Sequence, residues 1–257
     1  MKHTRLRNGI GAGMFLTLGL LTGCSSGYSV VSVEGGRVPM TEVYDNHIAD
    51  QEAMAIINRY KQGLDSIMSP VIGHAARNLN SYRPESPLSN LMADLLRQTA
   101  VKVIGRPADV AVMNIGGIRN SFTKGEITFG NIFEISPFEN TYCVLTMQGS
   151  TLQELFEQIA AVHGEGLSGA KLVITKDGKL VSATVGNKPI DPDKEYMVAT
   201  IDYLAEGNDK MPAFRKAKSK IIPDDMLLRS LLFEYVEDCN KKGVFVDAKE
   251  EGRIVVR

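Results

Sequence analysis

Histidine is scarce in this sequence. Four occur among 257 residues, at His3, His47, His74 and His163. A dinuclear metallohydrolase gathers several histidines and aspartates around two ions, and four scattered histidines are too few for its usual version. No catalytic side chain, metal ligand or cofactor is therefore assigned to this chain. Cysteine is scarcer still, at Cys24, Cys143 and Cys239. Two cysteines beyond Cys24 make no disulfide framework; Cys143 and Cys239 read as two buried free thiols, with a Cys143–Cys239 disulfide, which a periplasmic location permits, as the alternative. Charge of either sign is not in excess: 29 basic residues face 30 acidic ones, for a net charge of −1. Without a basic stripe to offset phosphate charge, a nucleic acid polymer is excluded as partner. A small anion stays open, because one or two arginines suffice for it. A Gly-x-Ser-x-Gly elbow and a Walker loop are also missing.

No apolar run reaches the roughly 20 residues that cross a bilayer as a helix. The longest candidate, residues 9–20, is short and free of acids, follows Lys2, Arg5 and Arg7, and leads into Leu21-Thr22-Gly23-Cys24. Basic flank, apolar core and small residues before a cysteine are the order of a lipoprotein signal. Residues 1–23 are thus expected to be a cleaved signal peptide and Cys24 the lipidated residue. The chain would then be anchored to a membrane rather than span it, in a bacterial cell envelope, on the periplasmic or outer-membrane face. Residues 24–45, rich in Ser, Gly and Val, suit a tether.

The rest, residues 71–257, is expected to form one domain, preceded by a helix within 46–70. Ala53, Ile56, Ile57, Tyr60, Leu64, Ile67 and Met68 recur at helical period, and Pro70 stops the run. Ser86-Pro87 opens the next helix as N-cap and first helical residue. Strands are expected at 109–113, 141–147, 171–175, 180–185, 196–201 and 253–256. A helix capped by Ser150 or Thr151 follows the second of these. A last helix is expected from Pro223-Asp224-Asp225 to about Asn240, with acids at its positive end. Hairpin-like and helix-connected spacings mix, which points to an α+β domain with a mixed sheet.

The segment Gly164-Glu165-Gly166-Leu167-Ser168-Gly169 fits G-x-G-x-x-G, but it follows a helix and precedes a strand. A dinucleotide fingerprint has the reverse context, so the segment reads as a helix stop and loop. The better candidate is Asn114-Ile115-Gly116-Gly117-Ile118-Arg119. Asn114 sits where an apolar strand ends, Gly116 and Gly117 let backbone approach a ligand closely, and Arg119 offers a planar fork to an anion. A plain Gly-Gly turn with a surface arginine is the alternative. Phe138 precedes one strand and Tyr203 follows another; they either fill core or stack on a flat base. Asp209 is able to accept from two ribose hydroxyls.

In this order the motifs resemble the C-terminal domain of the 5′-nucleotidase / UDP-sugar hydrolase family. The resemblance rests on Arg83-Pro84-Glu85-Ser86-Pro87-Leu88-Ser89-Asn90-Leu91-Met92-Ala93-Asp94, on 114–119, on Gly125-Glu126-Ile127-Thr128-Phe129 through Asn140-Thr141, on 196–209 and on Glu251-Gly252-Arg253-Ile254. It implies a layered α/β/β/α fold and a substrate-recognition role. In that role Phe138 and Tyr203 stack the base and Asp209 holds the ribose. Asn114 and Arg119, with an upstream arginine matched by Arg83, hold the polar end. Tyr82 matches that last position about as well. The family loop Gly-Gly-Asp-Gly reads Gly207-Asn208-Asp209-Lys210 here, and Glu139 replaces a glycine. No segment resembles the family's metallophosphoesterase domain. The resemblance therefore implies the nucleotide-recognition subunit of a split 5′-nucleotidase, with divalent metals supplied by a separate metallophosphoesterase chain. A non-catalytic nucleoside- or nucleotide-scavenging lipoprotein is the alternative.

Cys24→Ala is expected to shift the protein from the membrane to the soluble fraction, or to leave the precursor unprocessed. Fractionation of the two forms decides this, and an unchanged membrane share would remove the lipid anchor.

Overall fold

The structure, a computed structural model, describes residues 30–36 and 51–257. The expected signal peptide, Cys24, most of the expected tether and the first residues of the expected 46–70 helix lie outside them. Residues 30–36 are exposed and without regular structure. In residues 51–257, helix α1 (Gln51–Met68) is followed by β1 (Val71–Ala75), α2 (Pro87–Ile104) and β2 (Val110–Met113). Then come β3 (Gly125–Thr128), α3 (Phe129–Ile135), β4 (Tyr142–Gln148) and α4 (Gly149–Ala161). Strands β5 (Gly166–Ser168), β6 (Ala170–Ile174), β7 (Leu180–Val185), β8 (Lys188–Pro189) and β9 (Glu195–Ile201) follow. The chain ends with α5 (Asp202–Ala205), β10 (Ser219–Ile221), α6 (Leu228–Lys241) and β11 (Ile254–Val256).

Among the described residues the strands form a five-stranded sheet, β10-β4-β9-β2-β5, a four-stranded sheet, β11-β6-β7-β8, and the pair β1-β3. Both larger sheets are mixed. β2 runs parallel to β9 and antiparallel to β5, while β4 runs antiparallel to β9. All four residues of β2 are buried, as an interior strand covered on both faces requires. Helix α2 packs against β2, β5 and β9, and α4 touches strands of both larger sheets. The mixed sheets of the expected α+β fold are thus present.

Local chemistry explains where α2 starts and stops. Ser86 caps it from an extended backbone, Ser89 returns a hydrogen bond to the Ser86 N–H, and Pro87 occupies the first turn. Gly105, left-handed at φ 73°, closes it by donating to the Val101 carbonyl. A serine cap of this kind contributes about 1 kcal/mol.

Three expectations are corrected. The helix expected to start at Pro223-Asp224-Asp225 starts at Leu228. The preceding residues are drawn into a ladder first, with Tyr142 N–H donating to the Met226 carbonyl and Leu228 N–H to that of Asn140. Neither Ser150 nor Thr151 caps α4, whose N-cap is Gln148 without a side-chain bond. Its free donors go to a turn instead: Gly149 N–H to the Lys194 carbonyl at 2.8 Å and Ser150 N–H to that of Pro192 at 3.1 Å. The Gly164–Gly169 segment is more than a loop, because Gly166–Ser168 forms β5 against β2. Its glycines meet backbone. A Cβ would lie 2.2 Å from the Pro84 carbonyl oxygen at Gly164, 2.7 Å from that of Ser89 at Gly166, and 2.1 Å from that of Asp109 at Gly169. Cys143 and Cys239 are free thiols. In α1 the apolar stripe is exposed; Ile56, Ile57, Tyr60, Leu64 and Ile67 are each more than half accessible.

The α4 start yields a prediction. A Cβ at Gly149 would sit 1.9 Å from the Asp191 carbonyl oxygen, so the 191–194 turn must shift. Gly149→Ala is expected to cost about 1–3 kcal/mol and to lower Tm by several degrees in a thermal melt. An unchanged Tm would show that the turn gives way freely.

Candidate functional site

Strand register assembles the site. β2 and β9 are parallel neighbours, so the segments leaving them, Asn114–Gly117 and Asp202–Asp209, emerge at one edge. β4 runs the other way, with Tyr142 opposite Ile201, so the Phe138–Thr141 segment enters at that same edge. β5 is also antiparallel, with Gly166 opposite Met113, which brings Glu165 beside Asn114. The ends of parallel strands in such sheets are common ligand positions.

At this edge Asn114, Gly116, Gly117, Phe138, Tyr203 and Asp209 line one cleft of about 300 Å³. The volume lies at the lower end for small-molecule sites. Asn140 also lines it, a residue the sequence reading did not single out. A larger hollow of about 420 Å³ lies elsewhere, around Asp94, Tyr235 and Arg253. Its charges already satisfy one another, with Arg253 on Asp94 and Arg77 on Asp247, so size alone does not mark the site.

Asp209 organises the cleft. One carboxylate oxygen accepts from Asn114 Nδ2 at 2.6 Å and the other from the Tyr203 hydroxyl at 2.9 Å. The latter contact holds the Tyr203 phenol above its usual pKa. Asp209 and Lys210 are both left-handed, at φ 52° and 63°. Each such non-glycine residue costs roughly 1–3 kcal/mol, and the hydrogen bonds from Asn114 and Tyr203 hold the loop in that conformation. Asn208 Nδ2 steadies the loop by donating to the Tyr203 carbonyl at 2.8 Å. The carboxylate thus stands oriented, with lone pairs left for further donors.

The aromatics are not core. Phe138 is 48% exposed and Tyr203 42%, which rules out simple core filling and leaves two ring surfaces open on one cleft. The Phe138 loop is fastened from below by Arg229, which donates to the Pro137 carbonyl at 3.1 Å and lies 4.3 Å from the Phe133 ring centre. At Gly117 a Cβ would lie 2.7 Å from Asn114 Oδ1 and displace that side chain. That oxygen is buried and has no hydrogen-bond partner among the described residues. At Gly116 a Cβ would find nothing nearer than Asp209 Oδ2 at 3.8 Å, so the floor there is open.

The two arginines sit differently. Arg119 Nη1 donates to the Gly116 carbonyl at 3.1 Å and the residue is exposed; it stands beside the cleft rather than in its lining. Arg83 donates through Nε to the Gly164 carbonyl at 2.8 Å and pairs through Nη2 with Glu165. Glu165 is buried next to the site, and the loop-like pattern of its segment carries no sign of this placement. Tyr82 turns away, its hydroxyl on Glu250 at 2.5 Å.

Other parts of the recurring motifs serve architecture. Glu85 accepts from Asn90 Nδ2, Glu251 N–H and Arg253 N–H at 2.7, 2.7 and 2.8 Å. Arg253 grips Asp94 with two bonds of 2.8 and 2.7 Å and donates to the Leu167 carbonyl at 2.8 Å. Among the described residues no three His, Cys, Asp or Glu side chains converge as a metal site would need, so the metals of a phosphoesterase do not fit there. Asp45 and His47 stand at Asp-x-His spacing, outside the described residues.

Comparison with known proteins agrees on the family. The chain is 32% identical over 216 residues to Endonuclease YhcR of Bacillus subtilis, covering 80% of this chain and 17% of that protein. It is 27% identical over 246 residues to the Trifunctional nucleotide phosphoesterase protein YfkN of the same organism, covering 88% and 16%. Among solved structures, the 5′-nucleotidase precursor from Thermus thermophilus superposes with a TM-score of 0.70 at 26% identity, over 80% of this chain and 43% of that one. The chain therefore spans less than a fifth of those two curated relatives and under half of that structure. Residues 71–216, more than half of the chain, match the 5′-nucleotidase, C-terminal domain family, and the chain belongs to it.

Proposed function

We propose that this chain recognises nucleotides as the substrate-binding part of a split 5′-nucleotidase, held to a membrane through Cys24. A separate metallophosphoesterase chain supplies the divalent metals and the attacking hydroxide. One observation carries the reading: two half-exposed aromatics, Phe138 and Tyr203, flank a cleft in which Asp209 is already oriented by Asn114 and Tyr203. A planar base stacks between the rings, the ribose diol donates to Asp209, and the phosphate end lies toward Asn114 and Arg119. Membership of the 5′-nucleotidase family supports a nucleotide ligand. Scarce histidine and the lack of a three-ligand cluster among the described residues support a partner for the chemistry. Holding the ester in one orientation toward the partner's reacting groups would itself be a large part of the barrier lowering in such a system.

The anchoring part of the reading is supported by Lys2, Arg5, Arg7 and Leu21-Thr22-Gly23-Cys24. The split is tested by assay of phosphate release from AMP with Mn²⁺ or Zn²⁺. Release is expected only after a lone metallophosphoesterase chain is added. Robust turnover by this chain alone overturns the split, and tight binding that no such partner converts into turnover selects the scavenging alternative.

The base slot is tested by calorimetric titration of AMP and UMP into the wild type, Phe138→Leu and Tyr203→Leu, with melting temperatures recorded beside it. Each replacement is expected to weaken binding by about 1–3 kcal/mol, the range for base–aromatic stacking. The loss should be similar for both bases; Tm should stay nearly unchanged in Phe138→Leu, whose ring is half exposed, and fall slightly in Tyr203→Leu, which also gives up the hydroxyl bond to Asp209. Normal binding with a lowered Tm would return the rings to a packing role. No heat from the wild type at millimolar ligand would end the nucleotide reading.

A further inference from the structure

Beside Asp209, a second carboxylate is tied to the cleft turn: Glu165 accepts from the Ile115 N–H. Its side chain is 0% exposed, against 40% for its partner Arg83. The two carboxylate oxygens do different things. Oε1 accepts from Arg83 Nη2, and Oε2 accepts from the Ile115 N–H. Ile115 lies between Asn114 and Gly116, both of which line the cleft. A carboxylate removed from water is stable only when paired and hydrogen-bonded, and both conditions are met here. The Gly164 carbonyl takes Arg83 Nε, so the guanidinium is held on two sides by one short segment. Burial raises the Glu165 pKa, the Ile115 and Arg83 contacts oppose that, and the charge of Asp209 adds to the rise. Glu165 and Asp209 thus stand near one turn together with the guanidiniums of Arg83 and Arg119. Arg119, by contrast, bonds only a backbone carbonyl, and among the described residues no carboxylate pairs with it.

We propose that Glu165 is a positioning and specificity-determining residue: it ties down the Asn114–Gly117 turn and withholds Arg83 from the ligand, leaving Arg119 alone to meet a phosphate. The proposal rests on the nucleotide reading above and refines it. It makes the wild-type cleft chiefly a nucleoside site with one phosphate contact, and it makes Arg83 a second contact that loss of the Glu165 charge would release.

The test titrates AMP and adenosine into full-length wild type, Arg119→Ala, Glu165→Gln, Glu165→Ala and the Arg83→Gln/Glu165→Gln double variant. Wild type is expected to favour AMP over adenosine by about tenfold, the factor for one charge-assisted hydrogen bond, and Arg119→Ala to abolish that preference. Glu165→Gln keeps an acceptor for Ile115 but frees Arg83, so the AMP-to-adenosine ratio is expected to rise by about a further tenfold. The double variant should return the ratio to the wild-type value. Glu165→Ala also loses the Ile115 tie, and should weaken both ligands where Glu165→Gln restores adenosine binding. An unmoved ratio in Glu165→Gln overturns the proposal, as does a rise that survives the double variant. A phosphate preference that survives Arg119→Ala overturns it too, a result that needs no change at the buried site. Wild type that binds neither ligand overturns the nucleotide reading and this proposal together, whereas binding with an unmoved ratio overturns only the proposal.

Discussion

The register of four strands governs this molecule. β2 and β9 run parallel and finish at one sheet edge, while β4 and β5 run against them and begin there. Four chain segments separated by tens of residues are therefore delivered to one place by backbone hydrogen bonds alone. A slip of one residue in any pair would turn every side chain of that strand to the other face and dismantle both core and cleft. The completely buried β2 makes such a slip costly, because no polar alternative exists along Val110–Met113.

Around that edge, the recurring family motifs divide into two jobs. Asn114, Gly116, Gly117, Phe138, Tyr203 and Asp209 face the cleft. Glu85, Asn90, Asp94 and Arg253 form a polar knot that fastens the C-terminal segment to the start of α2. Truncating one member of such a knot would leave a buried charge or donor unmatched, which costs far more than the net value of any one bond. Motif residues therefore recur for two physical reasons, and only geometry separates them.

Much of this was legible in the sequence. Ser86, Pro87 and Gly105 act through local chemistry, and the apolar run 110–113 has one sensible place in a sheet. Asn114 at its end follows at once. What stayed hidden depends on partners distant in the chain. The start of α6 is delayed by a ladder to residues 140–142, and the donors at the start of α4 are met by carbonyls of the 191–194 turn rather than by a side chain. Glu165 and Arg83 are 82 positions apart, so no local pattern announces their pairing. Whether Phe138 and Tyr203 fill core or face solvent is likewise a tertiary property; periodicity does not encode it in loops.

The three glycines at 164, 166 and 169 carry a further consequence. Each backs onto a carbonyl oxygen of this chain at a distance that excludes any side chain. The same spacing serves elsewhere to let backbone approach a pyrophosphate. Two unrelated demands for closeness, one from a ligand and one from a neighbouring loop, thus write identical letters. The informative letter is the one between the first two glycines, where a buried carboxylate holds Arg83 and the Ile115 N–H.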